Sequence, residues 1–340
     1  MNIKKKGLGI ISVSLFLILG WNQLAEASEN DYTVKAILSE NQDPTISSYF
    51  DVTVTPGEKQ NFILSIQNNS NDAQEYKIEP NTAVTNRNGV IDYSNQLGAK
   101  DATLKNSFKE LISDSQKVKL AAGEKRNIEF ELKVPEKEFE GIMLGGFVVT
   151  PIEQKKSEQS ILHVYTHTIA AVIRQSHHSI EPELQLDSVE LGQINYHNIV
   201  EATLHNSRPT IISELKIDAT VTKKGHTEVL YHEKKEKLKM APNSTLAYPI
   251  PTNEGFKAGE YTVSIVASSK ENQWHFTKDF TIKKESEQQL NSKTIDTEKK
   301  SKWEYLLLGI VVLIILMIGV GQYLNKREEK TLKKERRKRT

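Results

Sequence analysis

Residues 49–70, YFDVTVTPGEKQNFILSIQNNS, carry the clearest structural signal in the chain. A Pro-Gly pair in the middle of the stretch marks a turn. After that turn, Phe62, Leu64 and Ile66 occupy alternate positions, and a run of Asn and Ser closes the segment. Alternation of this kind is typical of a strand that buries one face in a sheet. The stretch therefore predicts two strands joined by a turn.

The same pattern continues on both sides of this stretch. Residues 119–135, KLAAGEKRNIEFELKVP, again place a Gly turn before alternating apolar residues and stop at a proline. One segment differs: in residues 103–114, TLKNSFKELISD, the apolar residues share one helical face, namely Leu104, Phe108, Leu111 and Ile112. We therefore expect residues 28–152 to form a β-sandwich with a short helical insertion.

A second β-rich unit follows a polar linker at 153–160. Short strand patterns recur at regular spacing over 161–284, beginning with ILHVYTHTIAAVIRQ at 161–175. Residues 202–217, ATLHNSRPTIISELKI, echo residues 63–78, ILSIQNNSNDAQEYKI. The predicted fold class is therefore mainly β, with two tandem immunoglobulin-like sandwiches, a polar stalk at 285–302 and one C-terminal transmembrane helix.

The two ends of the chain predict export and membrane anchoring. Residues 1–27 combine three early lysines, an apolar run and a closing Ala-Glu-Ala, as signal peptides do. Residues 303–324 contain an uncharged stretch of membrane-spanning length with aromatic residues at its ends. The tail at 325–340 carries nine Lys or Arg against three Glu, so we expect it to stay cytoplasmic. The expected localisation is the cell membrane, with both sandwiches outside, within or at the cell wall.

Composition narrows the possible anchors and partners. The chain has no cysteine, which excludes disulfides and a thioether lipid anchor. An LPxTG-like motif is absent before the apolar segment, so a retained membrane helix is favoured over covalent wall attachment. Outside the signal, the apolar segment and the tail, 33 basic and 39 acidic residues remain. An acidic exported region argues against nucleic acid as a partner.

No motif in the sequence predicts catalysis. Nucleophile-elbow, zinc-protease, P-loop and dinucleotide fingerprints are all missing from the sequence, and we predict neither an enzyme nor a cofactor. His163 and His167 have the spacing of metal ligands on a helix, but their surroundings predict a strand. A polar strand face is therefore favoured over a metal site.

The residue patterns of two short segments predict binding sites. NRNGVIDYS at 86–94 places a tight Asn-Gly turn beside polar and aromatic side chains that can bond to and stack on a sugar, namely Asn88, Asp92, Tyr93 and Asn95. An ordinary hairpin is the competing interpretation. GIMLGGF at 141–147 contains three glycines in a strand, Gly141, Gly145 and Gly146. These permit close approach by another chain or mark a bulge.

Several of these segments together resemble the WxL-interacting proteins of low-GC Gram-positive bacteria. The first domain of that family is matched by residues 49–70, by NGVIDYS at 88–94 and by FEGIMLGGF at 139–147. The second is matched by PELQLDSVELGQINYHNIVEATLHNSRPTIISELKIDATVTKKG, MAPNSTLAYPI and KAGEYTVSIVASSKENQWHFTKDFTI. The resemblance implies a peptidoglycan-binding domain, then a host-binding domain, and complexes with WxL-domain surface proteins.

The leading functional hypothesis is a membrane-anchored surface adaptor that binds peptidoglycan, WxL-domain proteins or both. The alternative is an adhesin whose second domain binds host extracellular matrix proteins.

Overall fold

The computed structural model describes residues 31–94, 100–152, 164–270, 272–296 and 310–321. These residues form two β-sandwiches in tandem, so the mainly β architecture predicted from the sequence is confirmed. The predicted signal peptide, the linker at 153–160 and the basic tail lie outside the described residues.

The first sandwich packs a three-stranded sheet against a five-stranded one. The smaller sheet has the order β1-β3-β8, formed by β1 (Tyr32–Ile37), β3 (Lys59–Asn68) and β8 (Lys125–Lys133). The larger has the order β2-β10-β9-β4-β7, formed by β2 (Phe50–Thr53), β4 (Gln74–Thr82), β7 (Gln116–Leu120), β9 (Ile142–Ile152) and β10 (His167–Arg174). In β3 the alternating residues Phe62, Leu64 and Ile66 are fully buried, as the opening stretch predicts.

Aromatic rings fill the centre of the first sandwich. The ring of Phe147 on β9 lies 5.0 to 5.9 Å, centroid to centroid, from those of Phe50, Phe62, Phe108 and Phe130. Tilted and edge-on pairs at such distances are favourable for aromatic rings. The core is therefore built around one ring that joins both sheets and the helical insertion.

The helical insertion is shorter than the sequence pattern predicts. Helix α1 comprises only Phe108–Leu111, and Ile112 already pairs as an isolated bridge with Leu132 of β8. Phe108 enters the core beside Gly145, where an added Cβ would lie 2.1 Å from the Phe108 Cδ1. The apolar spacing therefore reflects a single helical turn that places the Phe108 ring in the core. It does not reflect a full amphipathic helix.

Strand β10 belongs to the first sandwich, although its sequence pattern predicts that it opens the second unit. It pairs antiparallel with β9 and parallel with β2, so it is an inner strand of the first sandwich. Ala171 and Ile173 of β10 are fully buried in the first core. The first sandwich therefore extends past the linker to Arg174.

The second sandwich has seven antiparallel strands in the immunoglobulin-like arrangement of three plus four. One sheet has the order β11-β12-β15, formed by β11 (Leu184–Ile194), β12 (His197–Asn206) and β15 (Ser244–Pro251). The other has the order β14-β13-β16-β17, formed by β13 (Ile212–Lys223), β14 (Val229–Met240), β16 (Gly259–Ser269) and β17 (Asn272–Ile282).

The predicted stalk at 285–302 is folded over its first part. Helix α2 (Lys284–Asn291) packs Leu290 against the second core. The Asn291 side chain bonds to both the N–H and the carbonyl of Phe256, each at 2.8 Å. The carboxylate of Asp296 accepts the N–H of Asn198 at 2.9 Å. The second sandwich consequently continues to residue 296 instead of ending near 284.

Residues 310–321, inside the predicted transmembrane helix, are helical with exposed side chains. No helix within the described residues is both long and apolar enough to cross a membrane. The span at 303–324, whose ends lie outside the described residues, stays a prediction.

Candidate functional site

The predicted sugar-binding segment forms a hairpin over the outer face of the larger sheet in the first sandwich. Its strands are β5 (Val84–Thr85) and β6 (Ile91–Asp92). Asn86 organises the turn, since its Oδ1 accepts the N–H groups of Asn88 and Val90 at 3.0 and 3.2 Å. Gly89 has a φ of 69°, which suits glycine in a tight turn. The predicted Asn-Gly turn is therefore confirmed.

The tip of this hairpin contacts the second sandwich instead of standing free. The carbonyl of Gly89 accepts the N–H of Lys239 at 2.7 Å. The Leu238 side chain approaches so closely that a Cβ on Gly89 would lie 2.8 Å from its Cδ2. The turn is thus held against the second sandwich at Gly89, while Asn88 itself is exposed. A role of Asn88 in binding stays a prediction.

Below the tip, the structure brings two predicted residues to one open cavity of about 440 Å³. Asp92 and Tyr93 line it from the hairpin side, and Thr166, Thr168 and Ala170 line it from β10 and the segment before it. Asn86, Ile91, Ser94 and Val148 complete the wall. The cavity therefore combines a phenol ring, a carboxylate, an amide and three aliphatic hydroxyls.

Tyr93 is held in this cavity through both its backbone and its ring. Its backbone carbonyl accepts the Asn81 side-chain N–H at 2.9 Å. Its ring packs on Gly146, where an added Cβ would lie 2.7 Å from the ring. Burial, with a smaller contribution from the nearby Tyr49, raises the pKa of Tyr93 to about 12. Like any tyrosine hydroxyl at physiological pH, the Tyr93 hydroxyl is neutral and can both donate and accept a hydrogen bond.

The carboxylate of Asp92 is oriented by its own turn. Its Oδ1 accepts the N–H of Ser94 at 2.7 Å. Side-chain bonds of this type hold short turns in one conformation. Asp92 therefore presents its carboxylate to the cavity from a fixed backbone.

The three glycines predicted to lie in a strand have separate roles, and Gly141 lies just before β9 instead of within it. Gly146 gives space to Tyr93, and Gly145 gives space to Phe108 in the core. Gly141, with a φ of 70°, lies against Pro209 of the second sandwich, whose carbonyl would be 2.2 Å from an added Cβ. Only Gly146 supports the candidate cavity directly. Asn95, the remaining predicted residue, lies outside the described residues.

Sequence reasoning missed the contribution of Thr166 and Thr168. Both lie beyond the linker, in the segment that the strand pattern assigned to the second unit. The alternation T-H-T does show that the two threonines share a strand face. Only the pairing of β10 with β9 reveals which cavity that face adjoins.

Of the histidine pair considered as a metal site, only His167 lies within the described residues. The His167 ring stands edge-on to Tyr32, with 4.7 Å between ring centroids. His163 lies outside the described residues. Within the described part of the chain, no group of three His, Cys, Asp or Glu side chains could hold a metal ion.

A bonded interface joins the two sandwiches beside the cavity. Thr85 Oγ1 lies 2.5 Å from Ser244 Oγ and accepts the N–H of Ala241 at 2.9 Å. The N–H of Ile142 donates to the Pro209 carbonyl at 2.9 Å. A small apolar cluster, drawn from both sandwiches, includes Ala83, Leu144, Val172 and Ala241. The cavity is therefore held near a firm joint between the domains.

Comparison with known protein families shows which family the chain belongs to. Residues 32–151 match the model of the "WxL Interacting Protein, peptidoglycan binding domain". Residues 156–292 match the "WxL Interacting Protein, host binding domain". The chain belongs to the WxL-interacting protein family.

The predicted order of the two domains of this WxL-interacting protein is thereby confirmed. Strand β10 lies inside the second matched range, although it completes the first sandwich. Residues 284–292, which fold against the second sandwich, also lie inside that match.

Solved structures similar to this WxL-interacting protein include several bacterial chaperones. The class 5 fimbriae chaperone CfaA is 13% identical over 73% of this chain and 99% of its own, with a TM-score of 0.28. The E. coli chaperone DraB is 13% identical over 68% of this chain and 94% of its own, with a TM-score of 0.26. These low scores carry no functional argument. The comparison with curated proteins gave no match.

Proposed function

We propose that this WxL-interacting protein is a non-enzymatic surface adaptor that binds wall glycan through the cavity beneath Tyr93. The observation that carries the proposal is the cavity itself, which gathers a positioned ring, the Asp92 carboxylate and three hydroxyls within the sandwich matched as peptidoglycan-binding. Sugar rings stack on aromatic faces, and their hydroxyls bond to groups of these kinds.

The charge of the first sandwich supports recognition by shape and hydrogen bonds. Residues 29–152 contain 13 basic and 19 acidic residues. A net negative surface does not attract anionic wall polymers, because like charges across an interface are unfavourable. The neutral Tyr93 hydroxyl and the threonines suit uncharged sugar hydroxyls instead. Hence a neutral stretch of glycan is the favoured ligand.

The proposed setting is the outer face of the cell membrane. The signal-like residues 1–27, the apolar segment at 303–324 and the basic tail support export with a retained single-pass anchor. Since the second sandwich continues to residue 296, only residues 297–302 separate it from the proposed helix. In this arrangement the second sandwich is close to the membrane and the first points into the wall.

In this proposal the second sandwich binds a protein partner, a WxL-domain surface protein made by the same cell. The family description supports the choice, because these proteins are defined by interaction with WxL proteins. Exposed sheet edges offer one route to capture by strand addition.

A second candidate function is adhesion to a host matrix protein. It is favoured by the match of residues 156–292 to a host-binding domain. Surface plasmon resonance of the exported region against immobilised matrix proteins tests it. If the exported region bound no matrix protein, the adhesion function would be contradicted and only the adaptor role would remain.

Residues 28–302 provide the material to test the adaptor role. We expect them to co-sediment with purified peptidoglycan and to retain a WxL-domain protein in a pull-down. Failure in both assays would contradict the adaptor role. Release of soluble wall fragments during the incubation would instead show an enzyme.

A further inference from the structure

The turn between β11 and β12 holds an aromatic residue in an unfavourable backbone conformation. Ile194 pairs with His197, so the turn consists of Asn195 and Tyr196 alone. Their φ angles are 51° and 65°. Such turns suit Asn and Gly, whereas a bulky residue with positive φ is uncommon. Tyr196 is also 68% exposed, so its ring contributes little to the core of the sandwich.

A second exposed apolar residue is fixed beside this tyrosine. The Tyr196 carbonyl accepts the N–H of Ile295 at 3.0 Å and the hydroxyl of Thr294 at 2.8 Å. Ile295 is 66% exposed. The folded segment after α2 therefore places an isoleucine next to the strained turn, and the two form what we call the Tyr196–Ile295 tip.

The Tyr196–Ile295 tip lies at the end of the second sandwich that faces away from the first. Contacts with the first sandwich come from the opposite ends of the strands, through Pro209 and Ala241. The antiparallel strands put the β13–β14 connection at the same end as the tip, and β14 begins there with exposed Val229 and Leu230. Within the described second sandwich, four of the five exposed large apolar side chains therefore lie at this end.

The short segment between the second sandwich and the apolar segment indicates which surface the Tyr196–Ile295 tip contacts. Seven residue steps separate Asp296 from Trp303, where the apolar segment begins, and they span at most about 25 Å when fully extended. A tether that short gives an effective concentration of about millimolar for contact with the membrane, so even a small apolar tip can be held there. Tyrosine is a residue that favours the interface between lipid and water.

We propose that the Tyr196–Ile295 tip rests in the headgroup region of the outer lipid surface and sets the second sandwich end-on to the membrane. This inference rests on the proposed membrane anchor. An end-on second sandwich directs the first sandwich, joined firmly to its other end, away from the lipid and into the wall. The tip is thus an orienting contact, separate from the glycan cavity.

Quenching of tryptophan fluorescence by brominated lipids in vesicles tests whether the Tyr196–Ile295 tip contacts the membrane. Residues 28–340 contain only two tryptophans, Trp274 and Trp303. Reconstituted chains would carry a single tryptophan: either native Trp303 with W274F, or Tyr196→Trp with both native residues changed to Phe. Tyr165→Trp is the matched control, because Tyr165 is also 68% exposed but belongs to the first sandwich.

We expect Trp303 and the tryptophan at 196 to lose fluorescence to brominated lipid, while the one at 165 does not. Ile295→Trp supplies a second probe of the tip if the turn does not tolerate the first substitution. Quenching at 303 without quenching at 196 or 295 would overturn the tip contact and leave the anchor intact. No quenching at 303 would overturn the anchor itself, and the tip contact with it.

Discussion

Arg174 of β10 donates from Nη2 to both carboxylate oxygens of Asp51 on β2, each at 2.6 Å. The two side chains lie on adjacent parallel strands, and Asp51 is only 9% exposed at its side chain. Burial raises the pKa of the Asp51 carboxyl, and the Arg174 guanidinium opposes that rise. The pair fastens the last strand of the first sandwich to one of its earliest.

Arg174→Ala should destabilise the first sandwich by about 3 kcal/mol, since removing one partner leaves a buried charge without compensation. Urea unfolding of the exported region measures the change. Arg126→Ala is the matched control, because the ion pair of Arg126 with Glu124 is exposed and should contribute little to the free energy of unfolding. Equal effects from the two variants would show that the buried pair has no special role.

A fragment that ends at residue 152 should fail to fold, whereas one that ends at 180 should fold. Without β10, strand β2 loses its neighbour in the larger sheet, and β9 presents an unpaired edge. Circular dichroism and amide dispersion in NMR spectra distinguish the two outcomes. Cooperative unfolding of the shorter fragment at the stability of the longer one would contradict the assignment of β10.

Gly89→Ala should loosen the joint between the sandwiches. The added methyl would meet Leu238 at 2.8 Å and would also be strained at a φ of 69°. Gly123→Ala carries the same backbone strain at a φ of 70°, but nothing lies within 4 Å of its added Cβ. Small-angle scattering should show a larger radius of gyration for the first variant only. An unchanged radius would mean that the hairpin tip does not fix the joint.

Acid should release the segment after α2 from the second sandwich. Burial raises the pKa of Asp296, but bonds from His197, the Asn198 N–H and Thr294 together lower it below its ordinary value. A lowered carboxyl pKa adds stability above the unfolded pKa, and this stability is lost as pH falls through the folded pKa. Hydrogen-exchange protection of the Ile295 amide should therefore be high near neutral pH and lost in acid.

Asp296→Asn provides the control for this pH effect. The amide cannot titrate, so protection at Ile295 should be weaker than in the parent at neutral pH and should change little in acid. The same loss of protection in acid with Asn at 296 would assign the transition to another group.

Local pattern predicted the strands well but could not assign them to sheets. Alternation located the buried face of β3 and the Asn-Gly turn, because side-chain direction repeats every two residues in a strand. The apolar run of β10 is equally consistent with either sandwich, and only long-range pairing decides. The same limit applies to the cavity, since Asp92 and Tyr93 were predicted while Thr168 is more than 70 positions away in the chain.

The stalk was mispredicted because its polar composition is also that of an exposed helix. Leu290 is the one strongly apolar residue in 284–291, and a single buried contact gives little periodic signal. Side-chain amides complete the attachment, as the bonds of Asn291 to Phe256 show. Such contacts leave no pattern in the sequence.

Co-sedimentation of residues 28–302 with purified peptidoglycan, with and without changes in the cavity, tests the central claim most directly. Asp92→Ala combined with Thr168→Val removes two bonding groups, and we expect at least about tenfold weaker binding, equivalent to about 1.4 kcal/mol. Asp114→Asn removes an exposed carboxylate outside the cavity and should bind like the parent. The account predicts equal binding by the parent and the control, and weaker binding by the cavity variant. Equal sedimentation of all three, or of none, would contradict it.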